Sequence, residues 1–515
     1  MKTYNYIIAL LFALTLVSSC SKDLGNYEYK DINELNIAGV TAEYTSRTGI
    51  DTLRIKPVIK ASMDEADTAR YKYLWILQIG ANLRDTIGRK LNLNYPVRLK
   101  PAAYNLYYRV LDTKTGVTWK ADTKVTVTTA FSRGLLIMGE DEQGNAEAEM
   151  LSMLKDTIHV RHILSQSGLP VLRDPVSFVH TAGSEDYIKL WAFTKSGSYY
   201  LDRATLTATT SNNFAKMLYM SETINPETLQ PVAIAPQVRT AAGALGSSLY
   251  RAMITKGGEV FAGLPLLSGG DYFNNPVNRV ATAQDVRIPA APYLLYPIGS
   301  MSTFMWYDTK NQRFLNYTSI GLATSSVVLT DTPDGLFPWN QPAGRTLLYA
   351  ENTRNSDGGS TNGNSFAIMK NADNTCLIYK FYANGSAPAK RAAYAVKSIA
   401  TDFDKAKCYA FSSNRTVVFY TAGNKLYAYD YNPNNEKIYE FPELGNDEVS
   451  MIKFDTQIDY VTNSLYVGTY NSATKGTLRR YLVGTNPNVV ELLLQPKSTW
   501  SNMVKIKDIN WRAFN

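Results

Sequence analysis

Apolar residues along most of this chain recur at every second position in short runs, and Gly, Asn, Asp and Pro break the runs apart. A period of two puts one face of an extended strand in a core and the other in water, and long stretches with the helical period are scarce. The pattern predicts an all-β protein. Leu53, Ile55, Pro57 and Ile59 fall on one face, with Arg54, Lys56 and Val58 on the other. Tyr71-Lys72-Tyr73-Leu74-Trp75 reads as a strand carrying a Trp, the residue that often fills the centre of a sandwich. Tyr104 to Asp112 runs into the turn Thr113-Lys114-Thr115-Gly116, and Val125-Thr126-Val127-Thr128 closes the sheet. Tyr104 stands at a strand start, where a tyrosine corner would pin it. Residues 36–130 are therefore expected to form one small β-sandwich.

From Gly134 the rhythm changes to repeated hairpins. Each has an apolar or aromatic strand, a turn ending in Gly or Asn, and a second aromatic strand, as tight turns prefer. Gly134–Met138 leads to Gln143-Gly144-Asn145, and Lys189–Phe193 leads through Gly197 to Tyr199–Asp202. Tyr250–Ile254 precedes Gly257–Gly263, and Thr303–Asp308 precedes Asn311–Phe314. Leu347–Ala350 is joined with Cys376–Tyr379, Val417–Tyr420 with Asn424–Tyr431, and Ile458–Tyr460 with Asn463–Tyr470. Seven units over about 380 residues give a period near 54, close to the spacing of propeller blades. A lone blade cannot bury both faces, so blades stack in a ring with only short protected edges. Residues 131–515 are expected to form a degenerate β-propeller of seven blades, with six or eight left open by the irregular stretch 205–300.

The N-terminus carries a different signal. Lys2 is followed by the apolar run Ile7–Val17, the length of a secretory h-region and too short to span a bilayer, which takes roughly 20 residues. Val17-Ser18-Ser19-Cys20 then resembles a bacterial lipobox. Residues 1–19 read as a lipoprotein signal peptide, Cys20 as the lipidated residue, and 20–35 as a polar tether. The expected seat is the outer membrane, lipid-anchored and facing outward, since Lys22 and Asp23 partly match the surface-export signal of such lipoproteins. No later segment has 18 consecutive apolar residues.

Composition changes the picture in two respects. The 35 Tyr and the 19% share of charged residues support the β reading. The formal charge of +8 is spread thinly with no Lys/Arg cluster, so nothing points to nucleic acid. Besides Cys20 there are Cys376 and Cys408, open to one disulfide or to two free thiols.

The strand with Tyr and Trp, the Tyr-x-h-x-h-x-h-x-Asp strand (h, hydrophobic) ending at Asp112 and the Val-rich closing strand resemble a PKD (polycystic kidney disease)-like, immunoglobulin-type domain. The Gly-Asp-Gly turn typical after the Trp is missing, which would make it a divergent member. The whole arrangement is similar to the PKD-like family lipoproteins of Bacteroidetes. That resemblance implies a seat on the outer surface beside starch-utilisation-like (SusC/SusD-type) uptake systems, and accessory capture of nutrient polymers, whether glycans or peptides.

Candidate chemistry is sparse. His159-x-x-His162 with His180 could gather three imidazoles, but no Glu sits between the first two as in zinc proteases, and no metal is expected. A GxSxG elbow is absent. Asp141, Asp271, Glu351, Asp357 and Asp455 lie in or near predicted loops, and a propeller glycosidase would need two such acids brought together. The better signal is aromatic. Trp339 with Asn340, and Tyr272 and Phe273 with Asp271, put flat rings beside hydrogen-bonding side chains, as a sugar ring or an extended peptide requires. The leading expectation is a non-enzymatic surface lipoprotein without cofactor that binds a nutrient polymer or docks to the transporter. A propeller glycoside hydrolase or lyase and a structural or adhesion protein are the alternatives.

Overall fold

In the computed structural model the chain divides into two compact units, Met1–Thr128 and Thr129–Asn515. The structure describes residues 32–512 apart from 64–67, 155, 182–187, 240–244, 247–249, 265–271, 300, 334, 385–387 and 459–462. Cys20, Lys22, Asp23 and Asp271 lie outside the described residues. No described helix is long and apolar enough to cross a membrane.

The first unit is a sandwich. Its five-stranded sheet runs in the order Glu43–Arg47, Thr118–Thr128, Ala102–Asp112, Tyr71–Gln78, Arg84–Gly88. The first pair is parallel and the others antiparallel. Two short pairs, Leu35–Ala38 with Val58–Ala61 and Thr52–Ile55 with Leu93–Pro96, supply the remaining strands. The alternation does what the sequence predicted: Leu53 and Ile55 are buried while Arg54 and Lys56 are exposed. Trp75, fully buried, stacks on Tyr108 at 4.2 Å and donates its indole N–H to the Lys90 carbonyl at 3.0 Å. Tyr104 donates its hydroxyl to the Lys100 carbonyl at 2.8 Å, the expected tyrosine corner. Asp112 is completely buried and takes the Arg70 Nε at 2.7 Å. A buried carboxylate is tolerable only with such a partner, and the guanidinium holds Asp112 well below the usual carboxylate range.

The second unit contains seven sheets of three or four strands among the described residues. Blade 1 holds Gly134–Glu140, Ala146–Met153 and Thr157–Val160, and its inner strand is Lys505–Trp511 from the far end of the chain. The inner strands of blades 2 and 3 are Pro175–His180 and Pro231–Ile234; those of blades 5, 6 and 7 are Thr346–Asn352, Tyr409–Phe411 and Glu448–Phe454. Blade 4 is built on Phe304–Asp308 and Arg313–Tyr317, with an irregular inner segment that bridges Leu295 to Met305.

Strand alternation turns these sheets into a ring. In blade 2, Phe178, Leu190 and Ala192 pack on blade 1, and the intervening Val179, Trp191 and Phe193 pack on Met253 and Phe261 of blade 3. The same two-sided packing joins blade 3 to 4, 4 to 5, 5 to 6 and 6 to 7. Blade 7 returns to blade 1 through Met451, Tyr466 and Leu478 against Leu135, Ile137, Ile506 and Ile509. The all-β class and the seven-bladed propeller are thus both present. The ring is fastened by the antiparallel pairing of Leu135–Glu140 with Lys505–Trp511. Gly134 leads into that strand at φ 147°, where a Cβ would lie 1.9 Å from the Leu151 carbonyl oxygen, so only glycine fits.

Candidate functional site: the central channel and its mouth

The inner strands of the ring begin on one face, here called the upper, and end on the lower. Their side chains line an axial cavity of about 380 Å³ that includes Ser177, Glu351, Lys453, Asp508 and Asn510. Above it lies a wider cavity of about 580 Å³, and the two share Val176, Val232, Pro292 and Lys507 in their walls. The lower end is crossed by bonds between blades that are not neighbours. Gln457 of blade 7 donates Nε2 to the Gln237 carbonyl beyond blade 3 at 3.0 Å, and Arg354 beyond blade 5 donates Nε to the Thr456 carbonyl at 2.7 Å. The channel is continuous with the wider upper cavity, here called the well.

One wall of the well is a connected polar network. Lys453 donates Nζ to Asp508 Oδ1 and to the Ile509 carbonyl, both at 2.8 Å, and to Asn510 Oδ1 at 3.2 Å. Asp508 Oδ2 accepts Ser177 Oγ at 2.6 Å and Asn510 Nδ2 at 2.8 Å. Blades 7, 1 and 2 are tied together with every charge answered. On the opposite wall Glu351 accepts the Tyr349 hydroxyl at 2.6 Å and the Phe411 backbone N–H. Burial raises its carboxyl from the usual range to about 7, against the lowering effect of these two bonds and of Lys453. Glu351 therefore changes charge near neutral pH rather than holding a fixed charge.

The mouth is different. Exposed Lys195, Lys256 and Lys507 line it, together with exposed Asp174 and half-buried Glu140. Lys256 donates Nζ to the Lys195 carbonyl at 3.2 Å. None of the three lysines has an ion-pair partner among the described residues. Lys195 and Lys256 sit in the hairpin turns of blades 2 and 3, and Lys507 near the start of the closing strand. Three ammonium groups thus face one cavity against two carboxylates.

The residues expected from sequence to bind ligand are placed elsewhere. Trp339 is only 4% exposed and sits between blades 4 and 5, edge-on to Phe314 and Phe381. Phe273 is 2% exposed in the core between blades 2 and 3. Neither ring offers a face to a ligand, which corrects that expectation: both fill gaps between blades where only a large apolar side chain suffices. Asn340 is exposed but holds its own loop, giving N–H and Nδ2 to Asp331 Oδ2 at 3.0 and 2.9 Å. Of the three predicted rings Tyr272 alone stays on the surface, 42% exposed, edge-on to Tyr219.

The loop acids do not converge either. Asp141 caps its hairpin by accepting the Gln143 and Asn145 N–H groups at 2.9 and 2.7 Å. Asp455 accepts the Gln457 N–H at 3.1 Å and the Trp511 indole at 2.8 Å, and Asp357 pairs with Lys380 at 2.5 Å. Of the candidate acids among the described residues, only Glu351 faces the channel. His159 bonds Glu149 at 2.9 Å and takes the Arg161 Nε at 3.0 Å, while His180 is buried in another blade. Among the described residues no three metal-ligating side chains gather. Cys376 and Cys408 are free thiols, the first packed between blades 5 and 6 and the second against the core between 6 and 7.

From sequence Glu351 stood out only as one of five loop acids, and the other channel residues not at all, because they come from strands hundreds of positions apart. The signal was a charged residue inside an otherwise apolar run, as Glu351 after Tyr349-Ala350 and Lys453 between Ile452 and Phe454.

Residues 20–167 match the PKD-like family, a span that covers the sandwich and runs on through the three N-terminal strands of blade 1. Solved structures similar to the chain include a quinonprotein alcohol dehydrogenase-like protein from Bacteroides thetaiotaomicron, at 12% identity and TM-score 0.38, over 92% of this chain and 97% of that one. Another is a candidate 6-phosphogluconolactonase from Bacteroides fragilis, at 10% identity and TM-score 0.41, over 75% and 99%. A third is the extracellular domain of a candidate one-component system from B. thetaiotaomicron, at 9% and 0.37, over 87% of this chain and 54% of that one. No curated protein matches the chain.

Proposed function

We propose that this protein is a cell-surface capture protein, fastened by lipid at Cys20, whose propeller binds the anionic groups of an extracellular polymer at the upper mouth of the channel. The observation that carries the reading is the three exposed lysines without carboxylate partners around one cavity of about 580 Å³. An ammonium with no internal partner gains most from a ligand that brings one, and the cavity admits a side group while the rest of the polymer lies across the face. Acidic glycans and acidic peptides both meet that requirement. Binding is favoured over turnover because Asp141, Asp357 and Asp455 are each committed to a turn, an indole or an ion pair. The anchor would hold the mouth beside an outer-membrane uptake complex of the SusC/SusD type, which would take up what is captured.

The test uses the soluble chain from Ser21 on polygalacturonate, alginate, chondroitin sulfate and poly-glutamate columns. Retention should fall as salt rises, and Lys195→Glu and Lys507→Glu should each weaken it about tenfold or more. Retention that ignores both reversals sinks the assignment of the mouth. Radiolabelled palmitate should enter the full chain and fail to enter Cys20→Ser; equal labelling sinks the anchor.

A further inference from the structure

A third cavity, of about 320 Å³, opens between blades 5 and 6 toward the lower face. Its chemistry differs from that of the mouth. The floor is aromatic: Tyr394 and Tyr431 lie 4.9 Å apart at 58°, beside the fully buried Phe366. The cations around it are spent. Lys380 is paired with Asp357, and Arg415 gives its guanidinium to the Gly484, Val489 and Pro487 carbonyls at 3.1, 2.8 and 3.3 Å.

What is not spent is a set of neutral groups and one carboxylate oxygen. Asp430 is 8% exposed and uses only Oδ1 within the protein, accepting Thr416 Oγ1 at 3.2 Å and the Asn432 N–H at 3.0 Å. Its Oδ2 accepts nothing among the described residues, yet it is not among the atoms sealed from solvent. The same holds for the hydroxyl of Tyr431, 3% exposed, whose burial pushes its pKa well above the ordinary value with no hydrogen bond to offset it. The Tyr394 hydroxyl and the Asn432 side-chain amide are likewise uncommitted among the described residues. A nearly buried acceptor left open to a cavity is costly unless something donates to it.

We propose that this cavity is a binding subsite for a neutral pyranose unit. Asp430 Oδ2 accepts from ring hydroxyls, the Tyr431 and Tyr394 hydroxyls and Asn432 complete the polar contacts, and the half-buried Tyr394 ring carries the apolar face of the sugar. A volume of about 320 Å³ lies at the small end of ligand pockets, which suits one sugar unit rather than a cofactor. An anionic ligand is disfavoured, because the free oxygen is itself a carboxylate and the cations are already paired. The inference rests on the capture reading only in taking the ligand to be an extracellular glycan; it uses no residue of the mouth.

Calorimetric titration of the soluble chain with maltohexaose, cellohexaose, xylohexaose and mannohexaose tests it. At least one should bind, and Asp430→Asn and Tyr394→Ala should each lower its affinity by about tenfold or more. Asp430→Asn keeps an Oδ1 for Thr416 and Asn432, and matched melting temperatures confirm that the fold is retained. Binding that both cavity variants leave intact, or no binding of any of the four at millimolar concentration, overturns the inference. Those outcomes leave the mouth to be judged on its lysine variants with acidic polymers.

Discussion

Replacing Glu351 by glutamine removes one titrating proton from the channel wall and little else. Glutamine keeps an oxygen for the Phe411 N–H, and its amide can donate to the Tyr349 hydroxyl where Glu351 now accepts. The magnitude follows from linkage. The folded carboxyl titrates at about 7, whereas an unfolded glutamate titrates near 4.5. Because the folded value is the higher one, the folded chain binds the extra proton between those limits. Stability from this group is fully present below about pH 4.5, falls by about 1.4 kcal/mol for each unit of rising pH, and stops falling above pH 7. The whole difference is roughly 3 kcal/mol, and over a unit of about 390 residues it corresponds to about 4 °C in Tm. Urea unfolding of the soluble chain and of Glu351→Gln from pH 4.5 to 8.5 measures it. The two should agree near pH 4.5, and the variant should be more stable by about 3 kcal/mol at pH 8.5. A stability difference that stays constant over that range refutes the reasoning, because it would mean that Glu351 titrates alike in the folded and unfolded chains.

Asp112→Asn strands Arg70 in the sandwich core and should cost about 3–5 kcal/mol in urea unfolding followed by Trp fluorescence. Because the folded pKa of Asp112 is depressed, the stability it supplies is present above about pH 4 and is lost as pH falls through the folded value; the variant should lack that acid-dependent part. Trp339→Ala should cost about 3–5 kcal/mol by opening the core between blades 4 and 5, yet leave polymer affinity of the folded protein unchanged. A loss of affinity at unchanged stability would return Trp339 to the ligand site. Cys376, whose thiol burial pushes up to about 11, should not react with Ellman reagent until the chain unfolds, and reduction should leave the mass of the soluble chain unchanged.

How much of this was legible depended on whether a signal was local. The sandwich was, because Leu53, Ile55 and Tyr104 do their work within their own strands and turns. Most blades were, because the second and third strands of a blade form a hairpin, and a hairpin is written in a few adjacent residues. The strands that failed to show are those whose partners are remote or whose runs are buried on both faces. Ser365–Lys370 lies between two segments that the sequence joined directly, Leu347–Ala350 and Cys376–Tyr379. Lys505–Trp511 pairs with a strand more than 350 positions earlier, and nothing local marks it as the one that closes the ring.

The aromatic residues misled for a related reason. In an isolated loop, a Trp between two prolines reads as a displayed surface, but a propeller whose blades are joined by wide wedges needs large side chains to fill them, and Trp339 and Phe273 are used for that. The opposite error hid the channel. A Glu or Lys inside an apolar strand looks like a blemish, although a strand buried against two neighbouring blades can hold a charge only where it meets the axis or finds a counter-charge. Glu351 and Lys453 both meet the axis: Lys453 also reaches its counter-charge Asp508, and Glu351 is held by the Tyr349 hydroxyl and the Phe411 N–H with its carboxyl raised to about 7. Charges within inner strands therefore locate the axis of such a ring better than aromatics in its loops, and unpaired charges at the axis mouth locate the side from which a ligand arrives. By that criterion the proposed capture site at Lys195, Lys256 and Lys507 lies on the upper face, while Gln457 and Arg354 bridge the blades at the lower end and the proposed sugar subsite is a separate cavity between blades 5 and 6.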